Sequence, residues 1–189
     1  YVKWDMNRHS IALGAKAHEY ILGLYDVLHR IFEPRPSILL ETCSSGGNRF
    51  DLGMLCYSPQ IWTSDNTDPI ERLDIQGGIY NFYPQSTVSA HVSMAPHQQT
   101  LRETPISTRF NVAAFGVLGY ELDFRELTPE ERRQVKEQIA FYKEHRRTFQ
   151  FGTFSRLTVE GAVGWQVSDG TVTLAGVFHR LVHAAPGYE

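Results

Sequence analysis

An α/β fold of parallel strands, closing as a (β/α)8 TIM barrel, is what this sequence predicts, and three observations carry the prediction. Short apolar runs alternate with helix-period segments through the first 150 residues, so consecutive strands are joined by crossovers. Those runs end repeatedly in a polar residue, as in Trp4-Asp5, Thr42-Cys43, Trp62-Thr63-Ser64-Asp65 and Ala90-His91. A barrel places such strand ends around one mouth. Beyond Gly152 the texture changes to Val-, Thr- and Phe-rich runs broken by Gly161, Gly164, Asp169-Gly170 and Gly176, which predicts an antiparallel β domain. Residues 1–150 are therefore expected to form the α/β unit and residues 151–189 to begin an antiparallel β-sandwich domain.

Tyr1 to Asp5 reads as the end of a buried strand, with Lys3 and Asp5 on one face and Val2 and Trp4 on the other. A cation beside an anion at a strand tip is either the wall of a polar pocket or a surface ion pair. In a pocket, the ammonium keeps the carboxylate ionised and ready to attack an electrophilic carbon. Ile21, Leu24, Tyr25, Leu28, Ile31 and Phe32 recur at spacings of three and four, which predicts a helix with Ser10 as a cap and Pro34 and Pro36 as its stop. Ser37 to Cys43 is a continuous apolar run suited to a strand buried on both faces. After the Gly46-Gly47 loop and a short segment from Phe50 to Tyr57, Gln60 to Asp65 repeats the opening pattern of an aromatic strand ending in aspartate.

Thr67 to Tyr80 has a helical pattern, with Ile70, Leu73 and Ile75 apolar among charges and Gly77-Gly78 weakening its second half. Thr87 to Ser93 alternates in period two and predicts a strand. Arg109 to Asp123 reads as the tail of a helix running into a last strand. Thr128-Pro129-Glu130-Glu131 starts a helix that runs to about Arg147, with Thr128 as N-cap, Pro129 at the first helical position and Glu131 closing a capping box. Asp169-Gly170 between two Val- and Thr-rich runs is a hairpin signal.

A chain of 189 residues that is 42% hydrophobic and 12% aromatic can bury a sizeable core. Its formal charge of -3 gives no basic patch for nucleic acid or an anionic membrane, and no apolar run reaches transmembrane length. Cys43 and Cys56 both read as interior, which predicts a reduced, cytoplasmic protein. The chain begins inside a strand and without Met, as expected of a piece of a longer polypeptide. The histidines lack ligand spacing, and the aspartate loop lacks the glycine and terminal glutamate of a calcium loop, so no metal site is expected.

Asp5, Cys43, Asp65 and His91 all stand at strand ends and would converge in a barrel. Two carboxylates about 5 Å apart are the requirement for retaining glycoside hydrolysis. Asp68 rivals Asp65 for one of these roles; it is expected instead to cap the following helix or pair with Arg72. Cys43 on its own reads as an inert buried thiol. Arg49 either reaches the site or braces a loop against Asp51 or Glu41. His91 is either a structural histidine or a site residue.

Lys3-Trp4-Asp5-Met6-Asn7-Arg8, the Cys43-Ser44-Ser45-Gly46-Gly47-Asn48-Arg49-Phe50-Asp51 loop, Trp62 to Leu73 and His91-Val92-Ser93 stand in the order seen in glycoside hydrolase family 36. The resemblance continues through Phe115 to Asp123 and on to Leu157. That family comprises α-galactosidases, with relatives among α-N-acetylgalactosaminidases and raffinose or stachyose synthases. The resemblance implies strands four to eight of the barrel, with Asp5 as nucleophile and Asp65 as acid/base. It also implies that Lys3 binds a galactose hydroxyl, and that Cys43 and Gly46 wall the sugar 2-position; Arg49, if it reaches the site rather than bracing the loop, is a further candidate ligand. Asp65 is then expected in dry surroundings or beside Asp5, so that it carries a proton at working pH. The implied substrates are α-galactoside oligosaccharides such as melibiose and raffinose, cleaved with no cofactor, and the implied assembly is a homotetramer. A non-catalytic carbohydrate-binding relative is the alternative from a different class.

Overall fold

The computed structural model describes residues 1–6, 11–44 and 50–179. Five strands, β1 (Val2–Asp5), β2 (Leu40–Cys43), β3 (Gln60–Trp62), β4 (Val88–Ser93) and β5 (Val117–Glu121), form a parallel sheet in that order. Between and after them lie α1 (Ala17–Phe32), α2 (Leu52–Leu55), α3 (Pro69–Ile79), α4 (Ile106–Ala113) and α5 (Pro129–Phe151). Strand order equals chain order, so every strand delivers its C-terminal end to one edge of the sheet.

Alternation sorts the strand residues into two faces. Trp4, Leu40, Val88, Ala90 and Val92 fall on the face that packs into two apolar clusters with the helices. One cluster gathers Leu24, Leu28 and Phe32 of α1 with Leu40 and Met54; the other gathers Val88, Ala90 and Val92 with Leu73, Phe110, Val135 and Phe149. The opposite face carries Lys3, Asp5, Glu41, Cys43, Gln60, Trp62, Ser89, His91 and Glu121, which is a polar surface.

Three further strands, β6 (Thr153–Val159), β7 (Ala162–Ser168) and β8 (Thr173–His179), make an antiparallel sheet in sequence order. The hairpin signal holds: Gly170 has φ 87°, and Asp169 Oδ1 accepts from the backbone N–H groups of Thr171 and Val172. Trp165 and Val167 of β7 are fully buried in the same cluster as Val88 and Phe115, and Arg156 Nη2 donates to the Gly77 carbonyl at 2.5 Å.

Several sequence expectations are met element by element, and others are corrected. The Thr128 capping box forms as expected, although α5 runs a turn past Arg147. β2 begins at Leu40 rather than Ser37, because Ile38 N–H closes a turn onto the Arg35 carbonyl at 3.0 Å. The Gly77-Gly78 pair does not interrupt α3. A Cβ on Gly77 would lie 3.3 Å from the Trp165 ring, so the glycine gives the indole room to pack. Cys56 is exposed, not interior: the single turn of α2 is anchored by Met54, and the Cys56 thiol donates to the Leu52 carbonyl at 3.5 Å. Ser10, expected as a helix cap, lies outside the described residues. Among the described residues, no helix is long and apolar enough to cross a membrane.

Candidate active site

In-register neighbours on parallel strands share a face, so the pairing Lys3–Glu41–Gln60 makes one polar row, and Asp5–Cys43–Trp62 makes a second row nearer the C-terminal edge. The centre of the first row is Glu41, which is buried. Its Oε2 accepts from the Tyr1 hydroxyl at 2.7 Å, from Gln60 Nε2 at 2.6 Å and from the Ser89 hydroxyl at 3.1 Å. Oε1 lies 3.4 Å from the Lys3 ammonium. A buried carboxylate is tolerated when its oxygens are filled in this way. Burial and the adjacent Glu41 carboxylate push the Tyr1 phenol up, so it stays a donor.

Trp62 dominates the second row. Its indole N–H donates to Asp65 Oδ1 at 2.7 Å, its ring lies 5.0 Å from the Lys3 ammonium and 4.8 Å from the Arg72 guanidinium, and the His91 ring sits 4.5 Å away. His91 Nδ1 in turn meets Glu121 Oε2 at 3.1 Å. A Cβ on Gly119 would lie 2.6 Å from the His91 ring, so that glycine makes room for it. Burial pushes His91 below its ordinary range, against the opposing pull of Glu121.

The loop after β3 is held from beneath by Arg72. Its Nε donates to the Asn66 carbonyl at 2.7 Å, Nη2 to the Ser64 carbonyl at 2.5 Å and Nη1 to the Thr63 hydroxyl at 2.9 Å. The two carbonyls flank Asp65. Burial pulls the Arg72 guanidinium down to about 10, still charged at neutral pH.

Asp68 caps α3 as expected, with Oδ1 accepting from the N–H groups of Ile70 and Glu71. Its cation is Arg102, not Arg72, and its Oδ2 also accepts from the Thr100 hydroxyl at 2.6 Å. His97 binds the same two loops together, meeting the Thr67 hydroxyl at 3.0 Å through Nε2 and accepting from the Gln99 and Thr100 N–H groups through Nδ1. With Nδ1 accepting, Nε2 carries the proton and donates to Thr67.

Asp5 is thus the last residue of β1, Cys43 the in-register last residue of β2, and Asp65 stands three residues past the end of β3. Lys3 shares their face. The ends of β1 and β3 are two strand spacings apart, about 10 Å at the backbone, which leaves inward-leaning side chains room to meet one sugar ring. Asp65 is exposed, so the dry surroundings expected of it are not supplied by the described residues. Gly46 and Arg49 lie outside the described residues. The sequence reading missed Glu41, Trp62 and Arg72 as organising groups. A glutamate inside an otherwise apolar run, and an arginine one residue before the buried Leu73 on α3, were the signals available.

The Melibiase family model matches residues 1–152. The chain is 52% identical over 97% of its length to alpha-galactosidase AgaA of Geobacillus stearothermophilus, covering 27% of that protein. It is 53% identical over 83% of its length to alpha-galactosidase 1 of Pediococcus pentosaceus, covering 23% of it. The structure superposes with a TM-score of 0.90 on a variant of the glycoside hydrolase family 36 enzyme AgaA from Geobacillus stearothermophilus in complex with raffinose, at 46% identity over 98% of this chain and 28% of that one. The chain therefore spans about a quarter of the length of these relatives. With the family model spanning β1 through α5, and so Asp5, Cys43 and Asp65 together with His91, which lies inside β4 rather than at its end, this chain belongs to the Melibiase family.

Proposed function

We propose that this chain is part of a retaining α-galactosidase, supplying strands four to eight of its catalytic (β/α)8 barrel and, from residue 151, the start of the following antiparallel β-sandwich domain. The observation that carries the reading is the placement of two carboxylates, Asp5 and Asp65, at one edge of a parallel sheet, on either side of the strand that ends in Cys43. The comparisons support the substrate class. Among the AgaA structures, raffinose is bound to a variant with an aspartate-to-asparagine change, and stachyose to one in which a different aspartate is replaced by alanine.

The chemistry follows from the two roles. Asp5 attacks the anomeric carbon, forming a carbon–oxygen bond as the glycosidic bond breaks, while Asp65 gives its proton to the departing oxygen. Water then attacks the same carbon, returns a proton to Asp65 and releases Asp5. Two inversions give net retention. Lys3, fixed by Glu41 beside Trp62, binds a sugar hydroxyl, and Cys43 with Gly46 walls the 2-position, where a small pocket prefers a hydroxyl to an acetamide. Arg49 is assigned to the same pocket. The reading carries with it a homotetrameric assembly and a cytoplasmic location, which light scattering and cell fractionation test.

In the full-length enzyme, Asp5→Asn is expected to abolish turnover of raffinose. Asp65→Ala is expected to recover activity on a nitrophenyl galactoside when azide is added. Wild-type-like turnover by Asp5→Asn, or azide rescue of Asp68→Ala in place of Asp65→Ala, overturns the assignment.

A further inference from the structure

The Trp62 indole touches both flanks of the proposed site, with its N–H on Asp65 and its ring beside Lys3. Trp62 is itself 4% exposed, packed against both the Arg72 guanidinium and the His91 ring. Asp65 is an exposed side chain on a loop, and among the described residues the indole is its hydrogen-bond partner. Arg72 fixes the backbone on both sides of Asp65 through the Ser64 and Asn66 carbonyls. What remains free is rotation of the side chain, and the indole N–H restrains it.

We propose that Trp62 is the positioning residue for the acid/base carboxyl, and that its N–H selects which oxygen carries the proton. A protonated carboxyl accepts best through its carbonyl oxygen and donates through its O–H. With Oδ1 occupied by the indole, the proton resides on Oδ2, which is the oxygen left to meet the glycosidic oxygen. In the first step the proton passes from Oδ2 to the leaving group. In the second, Oδ2 takes a proton back from water while Oδ1 stays on the indole. This inference rests on the assignment of Asp65 as acid/base and adds to it the group that aims it.

The test compares substrates that differ in their need for the proton, since a well-stabilised leaving group departs unaided. In the full-length enzyme, Trp62→Phe removes the N–H and keeps a ring. Benzothienylalanine at position 62, in which sulfur replaces the N–H, keeps the volume as well and carries the test alone should Trp62→Phe fail to fold. The expected result is a fall in kcat/KM on raffinose that exceeds the fall on a dinitrophenyl galactoside by about tenfold or more, the scale of acid catalysis lost through misalignment. Equal losses on both substrates, as a merely structural residue would give, overturn the proposal, and so does unchanged raffinose activity. Asp65→Ala serves as the control. If it shows no such leaving-group selectivity, the acid/base assignment has failed; if it shows the selectivity and the Trp62 variants do not, only the positioning role has failed.

Discussion

The Lys3 ammonium lies 3.4 Å from Glu41 Oε1, at the middle of a network that draws side chains from four adjacent strands and the residue preceding the first of them. Lys3 is partly exposed and Glu41 is buried, so the pair has an inner anchor and a solvent-facing outer end. Glu41→Ala leaves Tyr1, Gln60 and Ser89 without their shared acceptor and is expected to cost about 3 kcal/mol of stability. Glu41→Gln, which keeps an acceptor oxygen, should recover part of that loss. Urea denaturation of the full-length protein measures both, and an unchanged midpoint for Glu41→Ala would show that the network contributes nothing.

Asp68 gives stability a dependence on acid. Burial pushes its carboxyl up, yet the hydrogen bonds from Thr100, from the Ile70 and Glu71 N–H groups and from Arg102 outweigh that and hold it below the usual carboxylate range. A depressed folded value means that the stabilisation is fully present above the unfolded value near pH 4 and is lost as pH falls through the folded one. Asp68→Asn is therefore expected to be less stable than the parent by about 3 kcal/mol at pH 7. The gap should close as pH drops below about 4. Thermal melts across pH 2–7 check the sign, and a gap that widens in acid would contradict it.

Asp169 behaves alike on the surface. Hydrogen bonds from the Thr148 hydroxyl, then from the Val172 and Thr171 N–H groups, hold it down at about 2. The Thr148 bond, 2.5 Å long, ties the β7–β8 hairpin to α5. Asp169→Ala is expected to lower the melting temperature at pH 7 and to lose its effect as pH falls from 3.8 towards about 2. Faster amide exchange at Thr171 and Val172 in this variant would report the freed hairpin directly.

Two glycines should respond differently to alanine. A Cβ on Gly116 would lie 2.7 Å from the Val88 carbonyl oxygen and 3.0 Å from Ala90 Cβ, a backbone and core contact that cannot turn aside, so Gly116→Ala is expected to cost about 2 kcal/mol. At Gly77 the contact is 3.3 Å from the Trp165 ring, and alanine gains up to about 1 kcal/mol of helix propensity there. Gly77→Ala should be the milder of the two. Equilibrium unfolding of both variants ranks them, and the reverse order would refute this account.

Local signals were the legible ones. The Thr128 capping box and the Asp169-Gly170 turn are decided by residues within a few positions of each other, and both form where the sequence puts them. Asp5 and Asp65 were recognisable at strand ends, because a strand ending in a charge is itself a local pattern. Partners far apart in sequence were not. Nothing near Asp68 reveals that its cation is Arg102, 34 positions away, since Arg72 is the nearer candidate by count. Glu41 sits inside a run whose hydrophobicity predicts burial, and its role emerges only when Lys3, Gln60 and Ser89 arrive on neighbouring strands. Cys56 was misplaced because in the single turn of α2 it is Met54 that faces the core, while Cys56, just past the last helical residue, turns to solvent.

The burial of Trp165 and Phe178 among Tyr80, Phe115 and Phe149 has a thermodynamic consequence. The antiparallel strands complete the hydrophobic core on which β4, α4 and α5 also depend, so neither part can melt while the other keeps its packing. Calorimetry should register them as one cooperative transition, with equal calorimetric and van't Hoff enthalpies for this region. A full-length protein truncated after Gly152 would expose the aromatic faces that Trp165 covers and aggregate rather than stay folded. The change of architecture at Gly152 marks where the chain alters its hydrogen-bonding pattern, and the apolar core runs straight through it.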